Sequence, residues 1–189
     1  MTTTGVGVSH ATELPVSGIP AASVSADGKF FKPGPNTIIK LNDDQAGSGG
    51  LALPSTPSPS GTTAALFLRN AKYMGQTCGT DVIQQTSGRG KTTLVLTVEK
   101  GVSTTVKKEI SIDAKYISAG MGWDVTKSYT VKNETRFEVP AGKFGTVQAY
   151  PLYNMHQGDV WEGLQPSLPT GKRVYAYKPV GVCFNQWVS

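Results

Sequence analysis

The fold is decided by an alternating stretch at residues 123–139, WDVTKSYTVKNETRFEV. Every even-numbered position in it is polar or charged, and all of its large apolar side chains fall on odd-numbered positions. Successive side chains of a β-strand point to opposite faces of the sheet. The stretch therefore predicts a long strand with one apolar face and one solvated face.

The same alternation extends toward the N-terminus. Residues 91–98, KTTLVLTV, place Leu94, Leu96 and Val98 on one face, and residues 106–116 alternate in the same way. The glycine-containing stretch 117–122, ISAGMG, separates this run from residues 123–139. We therefore predict one long twisted β-hairpin around 117–122, with arms of about 15 residues, each roughly 50 Å long at ~3.3 Å per residue.

The remainder of the body, residues 64–189, contains no helical periodicity. The sequence VPAGKFG at 139–145 predicts a turn, followed by a strand over 143–153. Residues 154–172 show no period and predict a long loop, and 173–187 predict a last strand. The fold class is therefore predicted to be all-β, a small sheet domain that contains the long antiparallel hairpin.

Residues 1–63 differ from the body in composition, with stretches such as GSGG at 47–50 and PSTPSPS at 54–60. Such segments favour flexible or extended linkers. We predict an extended or disordered N-terminal strap (residues 1–63), with a short strand within 29–42. The functional alternative is a strap that becomes ordered against a partner protein, by strand addition or in a cleft. Its predicted contact residues are Phe30, Phe31, Ile38, Ile39 and Leu41.

Composition excludes several classes of protein. The chain has 22 Gly and 12 Pro, and charged residues make up 16%, against roughly 25% in an average globular protein. Gly and Pro disfavour a helical bundle, and no apolar run approaches the ~18 residues of a membrane-spanning helix. The net charge of +5 is dispersed. Basic and acidic residues alternate along the strands, which is typical of a solvated face, so we expect no nucleic-acid partner.

The two cysteines, Cys78 and Cys183, bracket the predicted sheet domain. Two hypotheses remain open: a pair of buried free thiols, which is common for cysteine, or a disulfide. A disulfide would close a loop of about 105 residues and contribute roughly 4–5 kcal/mol in the chain-entropy model. We predict the disulfide, and with it secretion into an oxidising compartment.

Chemistry-bearing motifs are few. SGRGKTT at 87–93 lacks the first glycine of a phosphate-binding loop and precedes a strand, so we interpret it as a turn. His156, Asp159 and Glu162 lie close together in the predicted loop, which would suit an acid–base or metal site, but a solvated histidine is the simpler interpretation. No nucleophile in a strained turn accompanies them. We expect no enzymatic activity, cofactor or metal.

Asn133-Glu134-Thr135 matches the acceptor pattern for N-glycosylation. The pattern is short and arises often by chance. It matters only if the chain passes through a eukaryotic secretory route.

The stretch 124–153, DVTKSYTVKNETRFEVPAGKFGTVQAYPLY, resembles the β-pore-forming proteins related to aerolysin and epsilon-toxin. The resemblance implies long Ser/Thr-rich strands around an amphipathic hairpin, with contact to a membrane. Lys108 and Lys127 interrupt the candidate lipid-facing side, and a lysine at mid-depth costs roughly 2–4 kcal/mol.

The overall arrangement also resembles small secreted actinobacterial β-proteins, among them the adaptor subunits of umbrella-shaped antibacterial toxin particles. That resemblance implies a non-enzymatic subunit that binds other proteins of a secreted complex. Because the strap suits an adaptor and the two lysines disfavour insertion, we predict an adaptor first and a pore-forming protein as the alternative.

Overall fold

The structure is a computed structural model that describes Ile19 and residues 23–43, 66–163 and 166–189. These residues form antiparallel sheets and one short helix, which confirms the predicted all-β class. Within them, no helix is long and apolar enough to cross a membrane. The elements are β1 (Phe30–Phe31), β2 (Thr37–Leu41), β3 (Leu66–Gly79), β4 (Gln84–Arg89), β5 (Thr92–Ser103), β6 (Thr105–Lys108), α1 (Ala114–Met121), β7 (Ser128–Val139), β8 (Phe144–Glu162) and β9 (Leu168–Val188).

The long antiparallel pair β8–β9 forms the centre of the main sheet. The outer edge of β8 pairs with β3 and β4, and the outer edge of β9 pairs with β2 and β6. The prediction of a loop over 154–172 is therefore wrong for residues 154–162 and 168–172. The first range belongs to β8, which continues to Glu162, and the second belongs to β9, which begins at Leu168. Register shifts in the β3–β8 and β8–β9 ladders break the period of two in this region, so alternation could not reveal the strands.

The second sheet is a two-stranded ribbon of β5 and β7, paired without interruption from Thr92–Val139 to Ser103–Ser128. The predicted hairpin was therefore right for its second arm from Ser128 to Val139, and wrong for 123–127 and for its first arm. Residues 105–108 pair with β9 instead, and most of the predicted turn belongs to helix α1. Alternation shows which side chains share a face of a strand, and it does not show which strand is the partner.

The ribbon lies on the main sheet through its apolar face and keeps its other face in solvent. On the solvated face, hydroxyl groups donate to carboxylates across the strands, from Thr93 to Glu138 (2.6 Å) and from Thr97 to Glu134 (3.0 Å). The buried residues of the shared core include Leu94, Leu96, Val98, Val102, Val131, Val139, Val147, Ala149, Val182 and Phe184.

Residues 23–43 of the predicted strap are part of the body. β1 pairs with β3 and β2 pairs with β9, so strand addition takes place, but onto the chain's own sheet. Phe30 stacks on Tyr177 at 4.2 Å between ring centroids, and Phe31 is 2% exposed. This corrects the prediction that Phe30 and Phe31 contact a partner protein. Both side chains are buried in contacts within the chain and are not exposed to a partner.

The other three predicted strap contacts lie in β2. Ile38 is partly buried against the core, while Ile39 and Leu41 are exposed, so a partner contact at the last two stays a prediction. The parts of residues 1–63 other than Ile19 and 23–43 lie outside the described residues.

Side-chain hydrogen bonds hold β2 against the ribbon. The Asn133 amide donates to the carbonyl oxygens of Lys40 (3.2 Å) and Leu41 (3.1 Å). Asn42 donates to the carbonyl oxygen of Thr130 at 2.8 Å and accepts from the backbone N–H of Lys132 at 3.0 Å. These hydrogen bonds give partners to backbone groups that would otherwise remain unpaired between the two sheets.

The predicted disulfide between Cys78 and Cys183 is present. It joins β3 to β9 across β8, and both cysteines are fully buried. Ile19, Phe31, Tyr150, Leu152 and Val180 form the apolar cluster around it.

We predict that replacing both cysteines by alanine lowers the free energy of unfolding by roughly 4–5 kcal/mol, because the unfolded chain loses a 105-residue cross-link. Urea denaturation measures the change, with the fully reduced wild type as the matched control. A double variant as stable as the oxidised protein would contradict a stabilising role.

Candidate functional site

The ribbon strands are joined by a long connection, residues 104–127, which we call the insert. It leaves the ribbon after Ser103 and returns at Ser128, and it contains β6 and α1. Its apolar side chains pack on the end of the main sheet that the ribbon does not cover. The residues from the insert in this cluster are Val106, Ile110, Ile112, Ala114, Tyr116, Ile117, Met121, Trp123 and Val125, and those from the sheet include Leu68, Val160, Val174 and Ala176.

β6 holds the first part of the insert on the sheet by pairing with β9 from Thr105–Tyr177 to Lys108–Val174. Lys107 forms an ion pair with Asp27 and lies over the rings of Phe30 (4.8 Å) and Tyr177 (5.3 Å). The hydrogen bond from Lys107 holds the pKa of the Asp27 carboxyl well below its usual range. The insert is thus attached to both β9 and the N-terminal residues.

Helix α1 forms the middle of the insert. It follows Asp113, whose carbonyl oxygen accepts from the N–H of Ile117, and it ends at Gly122, which adopts the left-handed conformation at φ 79°. Ile117 and Met121, four residues apart, share its buried side. Sequence analysis missed this helix, although an Asp before it and a Gly after it are ordinary boundary signals.

The helix and the sheet approach each other closely at Leu68. A Cβ atom on Gly120 would lie 2.4 Å from the Cβ of Leu68. A Cβ atom on Gly158 would lie 2.6 Å from Cδ2 of the same leucine. Leu68 therefore fits between two glycines, one on the insert and one on β8. A side chain at Gly120 would force the insert away from β3, whereas one at Gly158 would require the end of the Leu68 side chain to move.

The last part of the insert is anchored by Trp123. Its ring lies 6.0 Å from that of His156 and 6.1 Å from that of Tyr129, and the Lys178 ammonium lies 5.9 Å from it. The Tyr129 hydroxyl donates to the carbonyl oxygen of Asp124 at 2.9 Å. Burial, with a smaller contribution from Asp124, raises the pKa of Tyr129. Trp123 thus connects the insert to β7, β8 and β9.

His156 is not the solvated loop residue that the sequence predicted, because it lies on β8 and is 7% exposed. Asp159 has other partners, accepting from Asn70 at 3.0 Å and lying 4.0 Å from Arg173. Glu162 is exposed at the end of β8. In the part of the chain that the structure describes, no three His, Cys, Asp or Glu residues are grouped to hold a metal ion.

No family model matches the sequence, and no curated protein matches it. The chain has weak similarity to solved structures that include an aerolysin-like protein from Bombina maxima, at 10% identity and a TM-score of 0.29, covering 67% of this chain and 96% of that one. Another is a "Putative pore-forming toxin" from Bacteroides vulgatus, at 10% identity and a TM-score of 0.26, covering 68% of this chain and 55% of that one. At these values the likeness carries no argument about function.

We predict that Gly120→Ala lowers the free energy of unfolding by about 1–3 kcal/mol, because the added methyl group meets the backbone and Cβ of Leu68. Helix propensity alone would predict the opposite sign, by roughly 0.5–1 kcal/mol. Urea denaturation separates the two. Gly101→Ala, where a Cβ meets nothing within 4 Å, is the matched control. A stabilised Gly120→Ala protein would show that the insert does not pack tightly on β3.

Proposed function

We propose that this protein permeabilises membranes, and that it does so when the insert leaves the sheet and pairs with itself as a continuation of the ribbon. This is the pore-forming alternative of the sequence analysis, and we favour it over the adaptor role. In this proposal the protein is secreted, which the disulfide supports, and it is not an enzyme.

The observation that carries the proposal is the register of the ribbon. β5 and β7 end at the pair Ser103–Ser128, and the same register continued into the insert opposes 104 to 127, 106 to 125 and 112 to 119. The resulting arms, 104–113 and 118–127, have the length of about 9–11 residues that a membrane-crossing strand needs. Residues 114–117 would form the turn.

In that register the two faces of the extended hairpin separate by polarity. One face carries the apolar residues Val106, Ile110, Ile112, Ala114, Ile117, Ala119, Met121, Trp123 and Val125. The other carries Thr105, Lys107, Glu109, Ser111, Asp113, Ser118, Gly120, Gly122, Asp124 and Thr126. Nearly all of the first set cover the sheet in the docked insert. Lipid would therefore replace the sheet as the surface against which the same side chains are buried.

The two lysines that disfavoured insertion take different positions in this register. Lys127 lies opposite Thr104, at the base of the extended hairpin, where a charge remains near water. Lys108, opposite Trp123, is then the one charge within the apolar face between 106 and 125. Its cost is about 2–4 kcal/mol at the bilayer midplane and 0–1 kcal/mol near the interface, and its long side chain can reach the headgroups.

A single inserted hairpin would leave the outer backbone edges of both arms unpaired in hydrocarbon, at several kcal/mol per unsatisfied group. The proposal therefore requires several copies whose hairpins pair edge to edge. Within residues 23–43, an adaptor role could depend on the exposed Ile39 and Leu41 but not on Phe30 and Phe31, which are buried within the chain.

The proposal predicts that a disulfide between β6 and β9 blocks permeabilisation. In the variant Val106→Cys/Ala176→Cys, the two residues are direct partners across the strands. Oxidised protein should release no dye from vesicles of phosphatidylcholine and phosphatidylglycerol, and reduction should restore release. The matched control, Thr97→Cys/Glu134→Cys, cross-links ribbon strands that stay paired and should release dye in both redox states.

Two results would contradict the proposal. One is equal dye release from the oxidised and reduced β6–β9 variant, which would show that the insert need not leave. The other is a wild-type protein that forms oligomers, and whose insert is shown to have left the sheet, but that releases no dye.

The register also predicts a difference between the two faces. Ala119→Asp places a charge on the lipid-facing side, one pair from the turn, and should reduce dye release by up to about fivefold, since a charge near the interface costs up to about 1 kcal/mol. Ser111→Asp, on the polar face and exposed in the docked insert, should leave release within about twofold. Equal effects would show that the arms do not adopt this register.

A further inference from the structure

His156 lies under the insert, at the surface that release would uncover. It pairs with Tyr73 of β3 on one side and Ala176 of β9 on the other. Its ring is 5.7 Å from that of Tyr73 and 6.0 Å from that of Trp123 on the insert. Departure of the insert would remove Trp123 and expose the imidazole to water.

The surroundings of His156 suit a neutral imidazole and oppose a charged one. Its Nδ1 is buried, and the backbone of Asn154 is the one group that favours the charged ring and so opposes the lowering of its pKa. The charged group that acts on it from β9 is the Lys178 ammonium, and the titratable group from β3 is the Tyr73 phenol. A protonated ring would therefore be a buried charge beside a like charge, a cost that the Asn154 backbone offsets only in part, and this favours its move into water.

The carboxylates nearest to His156 along the chain and on the insert have other partners. On the insert, Asp124 accepts from both the N–H and the hydroxyl of Thr126 and lies 3.5 Å from Lys127. On β8 itself, Asp159 is bound by Asn70 and lies near Arg173. Neither is placed to neutralise a charge on the imidazole.

Other groups that hold the insert keep their charge in mild acid. Hydrogen bonds from Lys107 and Thr126 lower the pKa values of Asp27 and Asp124, so both stay ionised. Burial raises the pKa of Tyr129, so it stays neutral. Among these contacts, His156 is the group whose charge changes between about pH 7 and 5.

We infer that His156 is a pH-sensitive latch, and that its protonation in a mildly acidic medium releases the insert from the sheet. The inference names the trigger for the release proposed above and rests on that proposal for its effect at a membrane. Release itself is measured without lipid, so the two can fail separately.

The direction of the pH effect on docking follows from the number of protons that the docked and released states bind. Burial, and secondarily Lys178, lowers the pKa of His156 in the docked state, whereas the released imidazole returns to about 6.5. The docked state binds fewer protons, so docking is fully stable above about pH 6.5 and weakens as the pH falls from there to the docked pKa. The equilibrium constant for opening rises by at most about tenfold per pH unit in that interval.

Hydrogen exchange of the full chain at pH 7.5 and 5.0, corrected for the intrinsic exchange rate, tests the latch. The reporters are the helical amides of Ile117 and Gly122, and the reference is the β8–β9 core around Tyr150. The wild type should show faster insert exchange at pH 5.0, by at most about 30-fold, with the reference unchanged. His10→Gln, at the chain's other histidine, should behave like the wild type.

His156→Gln should lose the pH dependence of insert exchange, because the side chain no longer titrates. If that variant fails to fold, Lys178→Met serves instead, since it keeps the histidine, removes the like charge and should reduce the acid effect. Insert exchange that is equal at both pH values in the wild type, or an acid effect that persists in His156→Gln, would overturn the latch. Acid opening of the insert without dye release would support the latch and count against the proposed membrane activity.

Discussion

The pairing of β8 with β9 is the constraint on which the rest of the structure depends. These strands form the centre of the main sheet, and every other strand of that sheet pairs with one of them or with β3, which itself pairs with β8. Ribbon and insert cover different parts of this pair, through separate apolar clusters. In the release proposed above, the insert therefore detaches from the sheet while the ribbon stays packed on it. A single shared core would not allow this.

The spacing of the insert's apolar residues suits both the observed docked conformation and the extended hairpin proposed above. Ile117, Met121 and Val125 are each four residues apart, a spacing that places them together on one side of a helix and also on one face of a strand. The same side chains can therefore be buried in either conformation. Gly120, inside the helix, weakens it in solution, so packing on Leu68 and its neighbours stabilises the helical form.

The sequence was sufficient to predict the all-β class, the part of the 123–139 strand from Ser128 to Val139, the turn that follows it and the disulfide. It was insufficient for pairing, because β6 and β5 have the same alternation and only tertiary contacts assign one to β9 and the other to β7. The burial of His156 was missed because register shifts at Tyr73 and Asp159 hid the strand that carries it. The site itself became recognisable only through the register of the ribbon.

The hydrogen bonds that Asn133 donates to β2 have a consequence for carbohydrate attachment. The nitrogen that would carry an N-linked glycan is the one that donates to the backbone of Lys40 and Leu41. Oligosaccharide transfer takes place on unfolded chain, so a sugar at Asn133 would be in place before β2 could reach β7. The glycosylated nitrogen would retain a single N–H, so a sugar at Asn133 would remove at least one of the two hydrogen bonds that hold β2 to the ribbon.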